Sequence, residues 1–347
     1  MAQYHTLTIS DIRQLTNDSV AISFAVPEEL QQAFQFQHGQ FVQLKASIAG
    51  ELIERSYSVC SAPYERKLVV GIKRVDQGLF SNFACDEMKL GDEIQVSEPQ
   101  GVFTHTLDSS QKKTYLLVAA GSGITPILSI IKMTLASESL SQCCLIYANK
   151  SPESSMFREE LDQLTQRYSD RFHLVSVYSQ SDEGELRGRL NLQVIEQLYE
   201  KRSRKLSRVD EFFVCGPKEM SIALHEAVLK AGISAENAHI ELFEASTEFS
   251  DIGGDNAVVT MKIDGESFEF TYDDPTRSIL DVALDYDGDL PYGCQNGSCG
   301  SCQAKIVSGS AEMEVNFALS QSEIDEGFVL VCQARPTSKK IEIDYDA

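Results

Sequence analysis

The sequence predicts a multidomain chain. An antiparallel β-barrel (residues 1–107) is followed by an α/β doubly wound parallel sheet (108–245), a linker (246–256) and a small α+β domain (257–347). Three observations carry this expectation. The first block is a series of short alternating or apolar runs separated by turn residues; the second alternates apolar runs with amphipathic ones; the third encloses a glycine-rich loop bearing three cysteines, with a fourth further on. Period-two alternation marks half-buried strands, and strand and helix in turn give a parallel sheet covered on both faces.

In the barrel block the runs HTLTISDI, VAISFAV, QFVQLKA, KLVVGIKRV and EIQVSEP read as strands. The run ERSYSVCSAP, Glu54 to Pro63, puts an arginine, an aromatic and two serines close together. Such a set suits a phosphate, a flat ring and the ring's edge, although barrel alternation alone also places Arg and Ser outside and Tyr and Val inside. Downstream, Gly78, Leu79, Phe80 and Ser81 begin a helix whose N-terminus can receive a pyrophosphate.

In the middle block the strands YLLVAA, CCLIYA, FHLVSVYS and EFFVCG each precede a helical run. The first strand ends in Gly121 to Pro126, GSGITP, and the fourth in Cys215, Gly216 and Pro217. An open parallel sheet binds ligands at the C-terminal ends of its strands, and glycines at a strand-to-helix turn let amides meet phosphate oxygens, so two such turns outline a dinucleotide crevice. Tight packing asks for glycine as well. After the second strand stand Asn149, Lys150 and Ser151, where an acid would suit the 2′-hydroxyl of NADH. Basic and hydroxyl groups suit a 2′-phosphate, with Arg158, Arg187 and Arg189 as further candidates, and NADPH is favoured over NADH.

The polar segment STEFSDIGGDN is the expected linker. Beyond it AVVTMKID and ESFEFTY form a hairpin across Gly265, SILDVALDY supplies a helix, SQSEIDEG carries a capping box from Ser320 to Glu323, and FVLVCQA and KKIEIDYD are strands. Cys294, Cys299 and Cys302 are spaced C-x4-C-x2-C, and Cys332 follows after 29 intervening residues. This is the plant-type pattern for a 2Fe-2S cluster. Zinc knuckles would pair two C-x2-C units, and no signal peptide argues for an oxidising compartment and disulfides, so a cytoplasmic chain is expected. Gly293, Gly297 and Gly300 give the loop the freedom to turn amides toward sulfur. Cys60, Cys85, Cys143 and Cys144 read as packing residues, and His5, His105, His173, His225 and His239 show no metal spacing.

The net charge of −22 divides unevenly: residues 246–347 hold 20 acids and 6 bases, against 32 and 24 before them. An acidic field argues against nucleic acid and suits either a basic redox partner or simple solubility. The uncharged stretch Thr114 to Ile131 is interrupted by Gly121, Ser122, Gly123 and Pro126, so no transmembrane segment is expected.

The order RSYS, GLFS, GSGITP, CGP and C-x4-C-x2-C with a distal cysteine resembles the ferredoxin-NADP reductase superfamily with a C-terminal plant-type β-grasp ferredoxin domain, over essentially the whole chain. The resemblance implies FAD in the barrel. It assigns the flavin phosphates to Arg55, within the set Arg55, Ser56, Tyr57 and Ser58, the flavin ring to Tyr57, the flavin N5 to Ser58, and the pyrophosphate to Gly78, Phe80 and Ser81. It likewise gives the nicotinamide nucleotide to Gly121, Gly123 and Thr125, places Cys215 beside the reacting ring, and has Glu241 and Phe243 close over the flavin. His38 stands where the family usually has proline, at a cost in turn rigidity. The implied activity is electron transfer from NADPH through FAD and the cluster to a di-iron oxygenase component acting on an aryl-CoA thioester. Other clients, such as a ring-hydroxylating dioxygenase, an acyl desaturase or a hybrid-cluster protein, stay open, as does a non-catalytic redox sensor.

Overall fold

The computed structural model describes residues 3–200, 206–243, 256–286 and 290–347; the expected linker lies outside these apart from Asn256. The described residues up to Leu242 form one compact unit, and those from Phe243 onward form another.

The first unit opens with β1 (Tyr4–Thr16), β2 (Ser19–Ala25), β3 (Phe41–Ile48), β4 (Glu51–Ser58), β5 (Leu68–Lys73), α1 (Leu79–Asp86) and β6 (Glu93–Ser97). The strands make one antiparallel sheet in the order β4-β3-β6-β1-β2-β5. Alternate residues, among them Leu7, Ile9, Ile22, Val42, Leu44, Val70 and Ile72, point into a common core, so the sheet curls around them. Among the described residues its outer strands share no ladder; the segment just after β4 meets β5 through the bridge from Val59 to Val70 and the Cys60 amide on the Val69 carbonyl, which makes a curled half-barrel rather than a closed one.

The same unit continues with β7 (Thr114–Ala120), α2 (Ile124–Ser137), β8 (Gln142–Asn149), α3 (Arg158–Arg167), β9 (Phe172–Tyr178), β10 (Leu186–Arg187), α4 (Leu192–Glu200), β11 (Glu211–Gly216), α5 (Lys218–Lys230) and β12 (Ala238–Leu242). All the strands are parallel, in the order β10-β9-β8-β7-β11-β12. Leu116, Leu117 and Val118 are wholly buried because helices cover both faces. The order reverses at β7, and the C-terminal ends of β7 and β11 therefore flank the crevice where such sheets take ligands. Helix α2 also packs on the barrel: Ser129 Oγ donates to the Ser61 carbonyl at 2.7 Å, and a Cβ on Gly71 of β5 would meet Thr125 Cγ2 at 2.7 Å.

The second unit holds β13 (Ala257–Ile263), β14 (Glu266–Tyr272), α6 (Ile279–Ala283), β15 (Gln303–Ser308), β16 (Ala311–Met313), α7 (Gln321–Asp325), β17 (Phe328–Leu330), β18 (Ala334–Pro336) and β19 (Lys340–Asp344). The main sheet runs β14-β13-β19-β15-β17, with β13 and β19 parallel, and β16 pairs with β18. Asp264 (φ +51°) and Gly265 (φ +78°) join β13 to β14 in the two left-handed positions that a tight type I′ hairpin needs. Ser278 caps α6 through Asp281 and Ser320 caps α7 through Glu323. The cysteine loop lies between α6 and β15.

Candidate functional site

At the end of β7 the chain turns through Gly121–Gly123 into α2. The two glycines serve different needs. Gly121 has φ +55° and open space where a Cβ would stand. Gly123 has ordinary helical angles (φ −60°, ψ −8°), but a Cβ there would lie 2.2 Å from the Cys215 carbonyl oxygen. The turn is thus pressed against the end of β11. Thr125 is buried and donates to the Ser122 carbonyl at 3.0 Å, which closes the turn. Gly216 lies against Ala120, and Pro217 caps α5.

Cys215 and Glu241 are register partners on β11 and β12. Ser58, the last residue of β4, donates from Oγ to Glu241 Oε2 at 3.0 Å, so the barrel's predicted flavin strand and the sheet's predicted nicotinamide edge meet at one point. All three side chains are buried. Burial, and then the neighbouring Glu241 charge, push the Cys215 thiol well up, so it is a neutral, compact surface and not a thiolate. Phe243 follows β12, begins the second unit and is 44% exposed.

On β4, Arg55 and Ser56 are exposed, and Tyr57 is half-buried with its ring 5.6 Å from that of Phe80 at 41°. Burial raises the Tyr57 phenol above its ordinary range and keeps it neutral. Gly78 caps α1, and a Cβ on it would meet Ser81 Oγ at 2.6 Å. The Ser81 hydroxyl accepts from the Val75 amide (3.1 Å) and donates to the Gly78 carbonyl (3.3 Å). It shapes the turn, which leaves the first-turn amides of Leu79, Phe80 and Ser81 to face an anion.

The groups expected at a 2′-phosphate are spread over two adjoining loops. The Ser179 amide donates to the Asn149 carbonyl (3.0 Å) and the Gln180 amide to the Lys150 carbonyl (2.8 Å), bringing the ends of β8 and β9 together. Lys150 and Arg189 are exposed, and the Ser151 hydroxyl hydrogen-bonds the Glu153 carboxylate, lowering its pKa. Arg158 lines a small cavity of about 150 Å³ with Tyr178 and Glu183, while Arg187 pairs with Asp182 at 3.3 Å.

In the second unit Gln295, Gly297 and Gly300 all take left-handed angles (φ +54°, +78° and +74°). The loop winds so that amides face sulfur: Cys294 N to Cys299 Sγ at 3.3 Å, Asn296 N to Cys294 Sγ at 3.5 Å and Ser301 N to Cys299 Sγ at 3.5 Å. The hydrogen bond from the Cys299 thiol, helped by those from Asn296 and Ser298, lowers Cys294 to about 6. Cys302 is raised by its hydrogen bond with Cys332 and by burial. Among the described residues no three His, Cys, Asp or Glu side chains converge on one point as a single ion requires; a two-iron cluster divides its ligands between two centres. The Tyr345 hydroxyl is buried without a partner among the described residues, and its ionisation is opposed by burial and then by Cys302 and Cys332. Four thiols, sulfur-directed amides and a spare buried donor fit a 2Fe-2S cluster.

Three features escaped sequence reasoning. The Ser58–Glu241 bond joins residues too far apart in the chain for any motif. His38 is 4% exposed and its Nε2 stands 3.1 Å from His105 Nδ1, so where the family resemblance leads one to expect a rigid proline turn there is a buried polar link. Gln333, next to Cys332, turns its amide back onto the cysteine loop.

Comparison with known proteins matches each part of the chain to a family. Residues 6–105 match the oxidoreductase FAD-binding domain, 117–226 the oxidoreductase NAD-binding domain, and 261–337 the 2Fe-2S iron-sulfur cluster binding domain. The chain is 36% identical to one of the subunits of 1,2-phenylacetyl-CoA epoxidase of Escherichia coli (strain K12), over 100% of this chain and 99% of that one. It is 34% identical to the ferredoxin reductase component of 3-ketosteroid-9-alpha-monooxygenase of Rhodococcus rhodochrous, over 98% and 96%. The solved structure of phthalate dioxygenase reductase shares the fold, with a TM-score of 0.57 at 24% identity over 98% of each chain.

Proposed function

The chain belongs to the ferredoxin-NADP reductase superfamily, among the oxygenase reductases that join FAD-binding, NAD-binding and 2Fe-2S domains, and on that premise we propose that it draws electrons from NADPH and delivers them to a di-iron oxygenase component in phenylacetyl-CoA epoxidation. The observation that carries the reading of the site is the convergence of Ser58, Cys215 and Glu241 where β4 meets the ends of β11 and β12. Bound FAD and a 2Fe-2S cluster would supply the conversion of a two-electron donor into a one-electron outlet.

The chain's own residues do the positioning. The α1 amides and Arg55 hold phosphate, and Tyr57 lies along a flat ring. Gly121, Gly123 and Thr125 shape the turn that receives the nicotinamide nucleotide, while Gly216 and Pro217 open the facing wall. Neutral, wholly buried Cys215 keeps a thiolate charge out of the wall beside which the nicotinamide ring would rest. Ser58 holds Glu241 and ties the barrel to the sheet edge, which would help set donor and acceptor rings at reacting distance once both are bound. Exposed Lys150 and Arg189, with Arg158 and Arg187 as further candidates, are the cationic groups offered to a 2′-phosphate, which supports NADPH. Cys294, Cys299, Cys302 and Cys332 are the proposed cluster ligands, and the reduced thiols they require suit the cytoplasmic location proposed for the chain.

The choice of client rests on 36% identity along the full chain with the epoxidase component, and the 34% identity with the ketosteroid monooxygenase component favours a second client class. Reconstitution separates them. NADPH-dependent epoxidation of phenylacetyl-CoA with the oxygenase component is expected; NADPH oxidation with an artificial acceptor but no coupled epoxidation would reject the client and leave the reductase.

A further inference from the structure

Gln333 is wholly buried beside Cys332, and its side chain faces the cysteine loop. Its Nε2 donates to the Gln295 carbonyl at 3.0 Å, lies 2.9 Å from the Cys332 carbonyl and stands 3.7 Å from Cys332 Sγ. Two carbonyls near one end of the amide fix that end as nitrogen. Gln295 is the loop residue held at φ +54°, and a Cβ on Gly297 would lie 3.1 Å from Gln333 Cγ. The backbone carbonyl of Gln333 in turn accepts from the Glu314 amide at 3.0 Å. At the other end of the side chain, Oε1 is buried with no partner among the described residues. A methionine would fill the same space without that orphan atom, whose burial carries a cost in stability. What it provides lies at the nitrogen.

We propose that Gln333 is a positioning residue that ties the Cys294–Cys302 loop to the β17–β18 turn that carries Cys332 and, through its side-chain N–H aimed at the Cys332 sulfur, raises the reduction potential of the cluster. This rests on reading the four cysteines as cluster ligands. An N–H directed at a ligand sulfur stabilises the more negative, reduced state, which is how hydrogen bonds to sulfur move such potentials. The residue thereby sets how readily electrons pass through this outlet.

The test uses the full chain with its cofactors. Iron and sulfide content with the reduced-cluster resonance spectrum establishes first that the cluster is present, so failure of the ligand reading is seen separately. Gln333→Met is then compared by dye-equilibrated redox titration, with the flavin potential as internal control. The cluster equilibrium is expected to shift about tenfold toward the oxidised state, about 59 mV for one electron, with the flavin unmoved. A shift below about twofold would overturn the proposal. Should Gln333→Met not retain a cluster, the chain with native Gln333 decides. After side-chain 15N-glutamine labelling and reduction, in the Gln295→Met/Gln303→Met background, pulsed electron–nuclear resonance is expected to show a glutamine nitrogen coupled to the cluster, and no coupling would reject the contact.

Discussion

Gly123→Ala separates the need for room from the need for a special backbone angle. Its φ of −60° and ψ of −8° suit alanine, so no conformational strain is introduced. The new methyl would instead stand 2.2 Å from the Cys215 oxygen, 2.5 Å from its carbon and 2.9 Å from the Gly216 amide nitrogen, all backbone atoms that no rotamer change can move. Ordinary contact begins near 3.4 Å, so the β7–α2 turn and the end of β11 must separate by about 1.2 Å. Overpacking of this kind costs about 1–3 kcal/mol in stability. The larger effect falls on catalysis. A misplacement of about 1 Å costs on the order of 10²-fold in rate, and this one lies between the turn and Cys215. Stopped-flow reduction of bound flavin by NADPH is expected to slow by about that factor in Gly123→Ala, with flavin content unchanged. Gly265→Asn, at φ +78° in the β13–β14 hairpin with open space where a Cβ would stand, is the control and should stay within a few-fold of the unaltered protein. Equal rates for Gly123→Ala and the unaltered chain would refute the close-approach argument.

Three further outcomes are expected. Ser58→Ala removes the 3.0 Å donor to Glu241; hydrogen bonds to a charged group are worth about 1.5–3 kcal/mol, so flavin reduction should fall at least about tenfold, and an unchanged rapid-mixing trace would exclude a positioning role. Cys299→Ser should leave NADPH-driven flavin bleaching intact while iron per chain and electron delivery to a one-electron protein acceptor collapse; retained iron would exclude Cys299 as a ligand. Burial lowers His38 to about 4 against an ordinary 6.5. Below pH 6.5 the unfolded chain takes up a proton that the native one refuses, so stability is full above that pH and declines as pH falls toward 4. Denaturant midpoints between pH 4 and 7.5 should show a flatter profile for His38→Gln, and parallel profiles would contradict this.

The sequence made some of this legible for physical reasons that can be named. Three of the four proposed cluster ligands lie in one short loop, so their chemistry is written locally, and the alternation of strand and helix from Thr114 to Leu242 records a sheet covered on both faces. The GSG turn announced a crevice, but only the structure separates Gly121, which needs its angle, from Gly123, which needs its space. Ser58 and Glu241 were each expected near the flavin, yet their mutual bond depends on how the barrel packs on α2, which no local pattern encodes. His38 and His105 lacked any spacing signal because one lies in the β2–β3 connection and the other on the segment joining the two sheets, and they meet only in the fold. Gln333 was hidden by its neighbour: beside Cys332, a polar residue in an apolar run was the available clue.

The central claim is tested most directly by anaerobic titration of the reconstituted chain with NADPH, following flavin and cluster absorbance separately. Bleaching of the flavin band, with the cluster band falling in the same titration, is the expected result. A flavin that bleaches while the cluster band stays fully oxidised, or no bleaching at all, would contradict the account.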